Sequence, residues 1–245
     1  MRLIVDLAPS DPAEGLARDE ALFESVCGGG ENLVRLWVND RAIVIGRSQH
    51  IAAEADLDAA RAEGVKVLRR ISGGGAVYHY PGNLNVSVVV ESGAAVGSVR
   101  DVFARFGGMM CDGLGTLGLG VDLRGNRILV SNRKLGGGAQ ARRGRGVLFH
   151  STLLVLLADA PMERFLLAHR RGYRTGGVAS RPEETVTLTE ALERPIGIDE
   201  AANAVREGFA RDCALEFDRL SEDEVARAGV LAETKYGKAR WNASR

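Results

Sequence analysis

Apolar residues recur at helical spacing near the start of the chain, at Leu16, Leu22, Phe23 and Val26. They follow Asp11-Pro12, a pair suited to opening a helix, so a first helix ending near Cys27 is predicted. Shorter apolar runs of strand length come next, at residues 33–38, 42–46, 65–68 and 86–90, and the chain itself opens on a strand-like Met1–Asp6. A short helix with a mixed charged face is predicted over 53–62, and a longer one over 99–117. Strands are predicted at 128–130 and 147–156, and helices at 162–169, 198–215 and 223–234. Strands gathered in the middle with helices on both sides predict an α+β fold with one central mixed β-sheet flanked by helices. The expected organisation is a single domain over 1–245 with a helical C-terminal third from about residue 161, without repeats, heptads or low-complexity linkers.

Composition narrows the function classes. The chain has 245 residues, 45% of them hydrophobic, which is enough for one sizeable core. Its 32 basic and 32 acidic residues balance, so nothing points to general nucleic-acid binding. No apolar run reaches the length of a membrane span, and the N-terminus lacks the apolar stretch and cleavage site of a signal peptide. A cytoplasmic protein is expected. Three cysteines, Cys27, Cys111 and Cys213, form no disulfide framework and fit a reducing compartment.

Two glycine-rich clusters carry the chemistry. The first runs Arg69-Arg70-Ile71-Ser72-Gly73-Gly74-Gly75-Ala76-Val77-Tyr78-His79, followed by Gly82-Asn83-Leu84-Asn85. Glycines let backbone amides approach phosphate oxygens closely, and either arginine could add charge-assisted bonds to the same anion. A plain glycine-rich hairpin with solvated arginines is the alternative. No P-loop motif is present, and a strand rather than a helix follows the glycines, so this is not a Rossmann turn either. The second cluster is Arg133-Lys134-Leu135-Gly136-Gly137-Gly138-Ala139-Gln140, a lysine ahead of what reads as a flexible glycine run, followed by an apolar strand carrying His150. Lysine is a compact charge able to bridge a carboxylate and a phosphate, as activation of a carboxylate by ATP requires; otherwise it is an exposed turn residue.

The sequence resembles the lipoate–protein ligase A family, within the biotin and lipoate protein ligases. The matching pieces are Arg70 to His79, Gly82 to Asn85, Arg133 to Gln140, Trp37 with Ala42 to Gln49, and Val178 to Arg181 followed by Val186 to Leu188. The resemblance runs from about residue 3 to Trp241. It implies a catalytic domain of the class II aminoacyl-tRNA synthetase-like type. It also implies a two-step reaction in which lipoate or octanoate is activated by ATP as acyl-AMP and passed to a lysine of a lipoyl carrier domain. Such a carrier is the acyltransferase subunit of a 2-oxoacid dehydrogenase or a protein of the glycine-cleavage H type. Lys134 would be the catalytic cation, touching acyl carbonyl and phosphate. Arg70, Gly73, Gly74, Gly75, Ala76, Val77, Tyr78 and Lys134 would hold the nucleotide; His79, Asn83, Asn126, Lys134 and His150 would belong to the acyl-adenylate pocket. Leu36, Val44, Val77 and Leu153 are candidates for an apolar acyl slot, with ordinary core the leading alternative for each.

Some features depart from the family pattern. Where the family has Asn-Asp, this chain has Asn126-Arg127, which removes a carboxylate that could hold magnesium on the ATP phosphates. None of the cysteines falls where the related octanoyltransferases place a thioester-forming cysteine. The basic run Arg142 to Gly146 lies after the lysine, unlike the basic loop of biotin ligases, and reads as a surface turn. Residues 171–181, with Gly172, Gly176 and Gly177, are the candidate mobile loop. The chain is similar to the short family members, for which a separate accessory protein is a candidate partner. An ATP-dependent ligase leads these readings, ahead of an ATP-independent octanoyl or lipoyl transferase and a non-catalytic ligand-binding relative.

Overall fold

The computed structural model describes residues 1–93 and 96–244. Strands β1 (Arg2–Ser10) and β2 (Leu33–Asn39) are parallel neighbours joined by helix α1 (Pro12–Cys27). Asp11 starts this helix as expected, its side chain accepting from the Ala13 amide at 2.9 Å, with Pro12 placed where no amide is needed. Then come β3 (Ala42–Ile45), α2 (Ile51–Glu54), α3 (Leu57–Ala62), β4 (Lys66–Arg69), β5 (Val77–His79), β6 (Asn83–Glu91) and α4 (Val99–Gly115). The chain continues through β7 (Val121–Arg124), β8 (Arg127–Val130), β9 (Arg133–Arg143), β10 (Gly146–Leu154) and α5 (Met162–Phe165). It ends with α6 (Leu188–Leu192), α7 (Ile198–Ala210), β11 (Glu216–Asp218), α8 (Glu222–Leu231) and α9 (Ala239–Asn242).

The strands form two sheets. An eight-stranded mixed sheet has the order β11-β1-β2-β6-β10-β9-β8-β7, parallel at the β11-β1-β2 end and antiparallel beyond. A three-stranded sheet, β4-β3-β5, is the second. The α+β expectation with a central mixed sheet holds. No helix among the described residues is long and apolar enough to cross a membrane.

Period-two alternation explains why the large sheet has two unlike faces. Along β6 the chain reads Asn83-Leu84-Asn85-Val86-Ser87-Val88, so successive side chains alternate between a polar and an apolar face. Leu84, Val86, Val88 and Val90 join Leu36, Phe149 and Leu153 in the main core, which α4 and α7 supply with Phe106, Met110, Val205 and Phe209. The opposite face is apolar at one end, where Leu33, Val89 and Leu148 meet Leu22, Phe23 and Val26 of α1. Further along it becomes polar while staying buried. Register places Arg35, Ser87 and His150 in one row and Trp37, Asn85 and Thr152 in the next. That polar half lies beside α1 and the small sheet.

Several predicted elements differ from what is observed. The single helix over 53–62 is two short helices, broken where Ala55 pairs with Leu166. The glycines after Lys134 are not a flexible run: they lie inside β9, paired to both β8 and β10. Glycine is a poor strand former on local grounds, but here two flanking strands supply the hydrogen bonds and a side chain would not fit. A Cβ on Gly136 would stand 2.4 Å from the Thr152 carbonyl oxygen. The last third is not purely helical either. The helix over 198–215 stops at Ala210, and Glu216–Asp218 becomes an edge strand along β1. Residues 162–169 give only one α-turn and a 3₁₀ turn.

Candidate active site

A cavity of about 920 Å³ opens between the polar half of the large sheet, the small sheet and the segment 178–185. Its wall brings together Arg70, Gly74, Gly75, Ala76, Val77, Tyr78, His79, Asn83, Asn126, Lys134 and His150. Gly73 is the one predicted site residue off this wall, its carbonyl turned to the Arg70 guanidinium. Tyr78 reaches the cavity but points its ring elsewhere: it stacks on Tyr80 at 5.6 Å and meets Phe165 at 5.0 Å, with its hydroxyl between Arg41 and Asp159. Of the slot candidates, Val44 and Val77 line the cavity, whereas Leu36 and Leu153 face the main core.

The two arginines ahead of the glycines do different work from two solvated cations. Arg69 is wholly buried and ties the C-terminal segment down. Its guanidinium donates to the carbonyls of Gly46, Arg47 and Gln49 and to that of Asn242, and the Trp241 indole donates back to the Arg69 carbonyl. Arg70 organises the loop itself: Nε donates to Ser72 Oγ at 3.0 Å, NH1 to the Val44 carbonyl at 3.0 Å, and NH2 to the carbonyls of Gly73 and Gly75 at 2.5 and 2.8 Å. Burial without a neighbouring carboxylate pushes its pKa down to about 10, so it remains a cation at neutral pH. Gly74, at φ +86°, provides the left-handed turn this wrapping needs. We expect Arg70→Ala to raise KM for both nucleotide and acyl substrate by loosening the loop, and Arg70→Lys to fail to rescue, because an ammonium cannot span three carbonyls; steady-state kinetics of both variants check this.

Lys134 sits at the open end. Its ammonium lies over Gly137, where a Cβ would come within 3.0 Å of Lys134 Cε, so the glycine leaves the space the side chain crosses. Its backbone is bracketed by the segment 184–186: Lys134 N–H donates to the Glu184 carbonyl at 2.8 Å and Val186 N–H to the Lys134 carbonyl at 3.0 Å. Glu183, from the same segment, bridges two cations, 2.7 Å from Arg127 NH1 and 3.3 Å from Lys134 Nζ. Burial raises the Glu183 pKa, but the Arg127 bond and the Lys134 charge outweigh it and hold the group below the usual carboxylate range. The carboxylate missing at Arg127 therefore arrives from another part of the chain. Asn126 fixes the β7–β8 turn against β9, exchanging bonds with both backbone groups of Gly138 at 2.8 Å.

Residues 171–181, the candidate mobile loop, run without helix or strand, as does the segment on to 187, yet they are tied down. Ser180 Oγ accepts from the Ala76 amide at 2.8 Å and donates to buried Glu54 at 2.6 Å, which the Tyr173 hydroxyl also meets. This segment thus occupies one glycine-loop amide and the Lys134 ammonium together, two groups suited to an anion.

Sequence reasoning missed Asp19, Arg35 and Ser87, which stand behind His150. Asp19 Oδ2 accepts from Ser87 Oγ at 2.6 Å and stands 3.6 Å from His150 Nδ1, while Arg35 binds Oδ1 at 2.9 Å. Burial works against its charge, but His150, Arg35 and Ser87 prevail and keep it ionised. His150 Nε2 in turn meets Ser72 Oγ at 2.5 Å, linking α1 to the glycine loop. The signal was available: Asp19 interrupts the apolar stripe Leu16–Leu22–Val26, and β6 and β2 alternate polar with apolar.

His79 is buried, and burial, then the charges of Arg70 and His150, push its pKa down to about 3. It is neutral in the folded state. The unfolded chain protonates it near 6.5, so stability present above that pH is lost as pH falls towards 3, by about 2 kcal/mol at pH 5. His79→Gln is expected to flatten the fall in urea-unfolding free energy between pH 6.5 and 5; equal slopes for both proteins refute a buried neutral His79.

The chain as a whole has known counterparts. Residues 11–210 match the model of the lipoyl protein ligase A/B catalytic domain. The chain belongs to this family. It is similar in structure to a lipoate-protein ligase A bound with ATP, with a TM-score of 0.85 and 29% identity, covering 99% of this chain and 98% of that one. It is also similar to a chain from an archaeal lipoylation system, a bi-partite lipoate protein ligase and its E2 lipoyl domain from Thermoplasma acidophilum. There the TM-score is 0.86 and the identity 30%, covering 99% and 95%. An octanoyltransferase LipM of Symbiobacterium thermophilum is 30% identical over 269 residues, covering 98% of this chain and 97% of the relative. The relatives thus include ligases and acyltransferases, and the chain is an enzyme of this ligase/transferase kind.

Proposed function

We propose that the protein activates lipoate or octanoate with ATP and transfers the acyl group to a lysine of a lipoyl domain. The observation that carries this reading is Lys134, which lines one cavity with the glycine-loop residues Gly74 and Gly75 and the apolar Leu16, Trp37, Val44 and Val77, with no cysteine among the described lining residues. In the first step a carboxylate oxygen attacks the α-phosphorus, forming the acyl–phosphate bond as the bond to pyrophosphate breaks. Lys134 is placed to neutralise charge on the acyl oxygen and the phosphate as both develop. In the second step the carrier lysine, having lost a proton, attacks the acyl carbonyl; the amide forms and AMP leaves. Segment 178–185 covers the site and limits water, which would otherwise hydrolyse the mixed anhydride.

The thiols favour this route over a thioester. Cys27 Sγ points to the Arg143 carbonyl, and burial pushes the Cys111 thiol up to about 12, far from a reactive thiolate. An octanoyltransfer reading has the LipM relative behind it, and hydroxylamine-sensitive acylation of this protein would favour it. Magnesium would arrive on the nucleotide phosphates. Glu183 is the sole carboxylate lining the cavity among the described residues and is already shared by two cations, so these residues make no ion site of their own. By analogy with the Thermoplasma system we take a lipoyl domain as acceptor and an accessory protein as a candidate second component. The basic turn is not part of this site: Arg143 pairs with Glu24, nine residues along β9 from Lys134.

Lipoate-dependent pyrophosphate release from ATP by the purified protein, with and without magnesium, tests the reading; acyl transfer from octanoyl-loaded carrier without ATP would replace it. Freeing Lys134 by Glu183→Gln is expected to tighten pyrophosphate binding about two- to fivefold, as measured by calorimetry.

A further inference from the structure

Strand β4 is one edge of the small sheet, and at Arg69 its outer side is closed by side chains rather than by another strand. The Arg69 N–H donates to Asn242 Oδ1 at 2.9 Å, and the Arg69 carbonyl accepts from the Trp241 indole at 2.8 Å. Two consecutive C-terminal residues thus meet both backbone groups of one edge residue, as a further strand would. That segment is itself held from two sides. Asn242 Nδ2 donates to the Tyr236 carbonyl at 2.7 Å. Lys235 lies 4.0 Å over the Trp241 ring and donates at 2.7 Å to buried Glu20 of α1, to which the Tyr236 hydroxyl also donates at 2.8 Å.

The Arg69 side chain carries this anchorage inwards. Its NH1 gathers the carbonyls of Gly46, Arg47 and Gln49 at 3.0, 3.0 and 2.8 Å, which fixes the turn 46–49. Two parts of the cavity wall rest on that turn. The glycine loop lies directly against it: the Arg47 amide donates to the Ser72 carbonyl at 2.8 Å, and a Cβ on Gly46 would stand 2.1 Å from the Gly74 carbonyl oxygen. The segment 178–180 hangs from buried Gln49, whose Nε2 donates to the Val178 carbonyl and to Ser180 Oγ, each at 3.0 Å. Ser180 Oγ in turn accepts from the Ala76 amide. Trp241, Asn242, Arg69 and Gln49 all stand off the cavity wall.

We propose that Trp241 and Asn242 are positioning residues for the active site, acting through Arg69 and the turn 46–49 to set where the segment 178–180 meets the glycine loop. Both wall segments lie outside helix and strand, so their geometry depends on bonds of this kind. A wall held in place for only a fraction of the time lowers apparent ligand affinity by that fraction. The proposal deepens the acyl-activation reading, and only its kinetic consequence rests on that reading.

Hydrogen exchange of the full chain without ligands tests it. Asn242→Ala is expected to stay folded and to speed exchange about tenfold at the amides of Arg47 and Ala76, with Val86 and Val88 in β6 unchanged. Gln49→Leu breaks the relay further on, and is expected to speed exchange at Ala76 while Arg69 stays protected. Trp241→Phe keeps a ring and loses the indole N–H; it is expected to repeat the Asn242→Ala pattern, and it decides the matter if Asn242→Ala does not fold. Under the acyl-activation reading each variant raises KM for ATP about tenfold, with kcat within about threefold of wild type. Wild-type exchange at Arg47 and Ala76 in a folded variant overturns the proposal. So does acceleration that extends equally to β6, the mark of a simple loss of stability. A protein that releases no pyrophosphate still gives the exchange result, so failure of that reading and failure of this proposal are told apart.

Discussion

Lys134→Ala is expected to lower lipoate-dependent pyrophosphate release by about 10²–10³-fold, the scale of removing one group that stabilises transition-state charge in a water-poor site. The fold is expected to survive. What holds β9 at this point is the Lys134 backbone, bonded to Glu184 and Val186, and alanine keeps both bonds. The lost ion pair is with Glu183, which retains Arg127 at 2.7 Å, so no buried charge is stranded. The loss should fall mainly on kcat, because the ammonium is needed most where negative charge builds on acyl oxygen and phosphate. Stopped-flow pyrophosphate release, with a thermal unfolding curve as control, separates this from misfolding. Activity within a few-fold of wild type in a folded variant would falsify the assignment of Lys134.

The largest expected effect on stability lies far from the cavity. Helices α4 and α7 cross so closely that a Cβ on Gly208 would stand 1.9 Å from the Met109 carbonyl oxygen and 2.6 Å from the Gly113 nitrogen. Both obstacles are backbone, so the helices must separate over the core containing Phe106, Met110, Val205 and Phe209. Gly208→Ala is therefore expected to cost about 3 kcal/mol despite alanine's better helix propensity. For a chain of this size that is a fall in Tm of about 6–12 °C. Gly229→Ala, in α8 with nothing within 4 Å of the added carbon, is the matched control, expected to be neutral or slightly stabilising. Equal Tm values for the two variants would show that the crossing relaxes freely.

Local sequence was a good guide wherever one physical signal dominated. Asp11-Pro12 and the spacing of Leu16, Leu22 and Val26 gave α1, and the apolar runs gave β2, β3 and β6. It misled where neighbours decide. Gly136, Gly137 and Gly138 have little strand preference, yet β8 and β10 hold them in β9. Glu216–Asp218 has no core to bury and is a strand because β1 lies beside it.

The site divides in the same way. The sequence by itself determined the chemical inventory: the two glycine segments, Arg70, Lys134, His79, Asn83, Asn126 and His150, at spacings that resemble a known family. Those are properties of residue type and order, legible without coordinates. Only the tertiary structure decided what each group faces. It turned Arg69 onto the C-terminal segment and Arg70 onto the carbonyls of its own loop, and it brought Glu183 to the cation at Arg127. It also set Asp19 behind His150 and left Asn83 and Asn85 each with a buried polar atom that has no protein partner. The reason is that charge pairing and desolvation depend on distances across the sheet and between loops, over separations as long as the 173 positions from Arg69 to Asn242, and no local pattern encodes those distances.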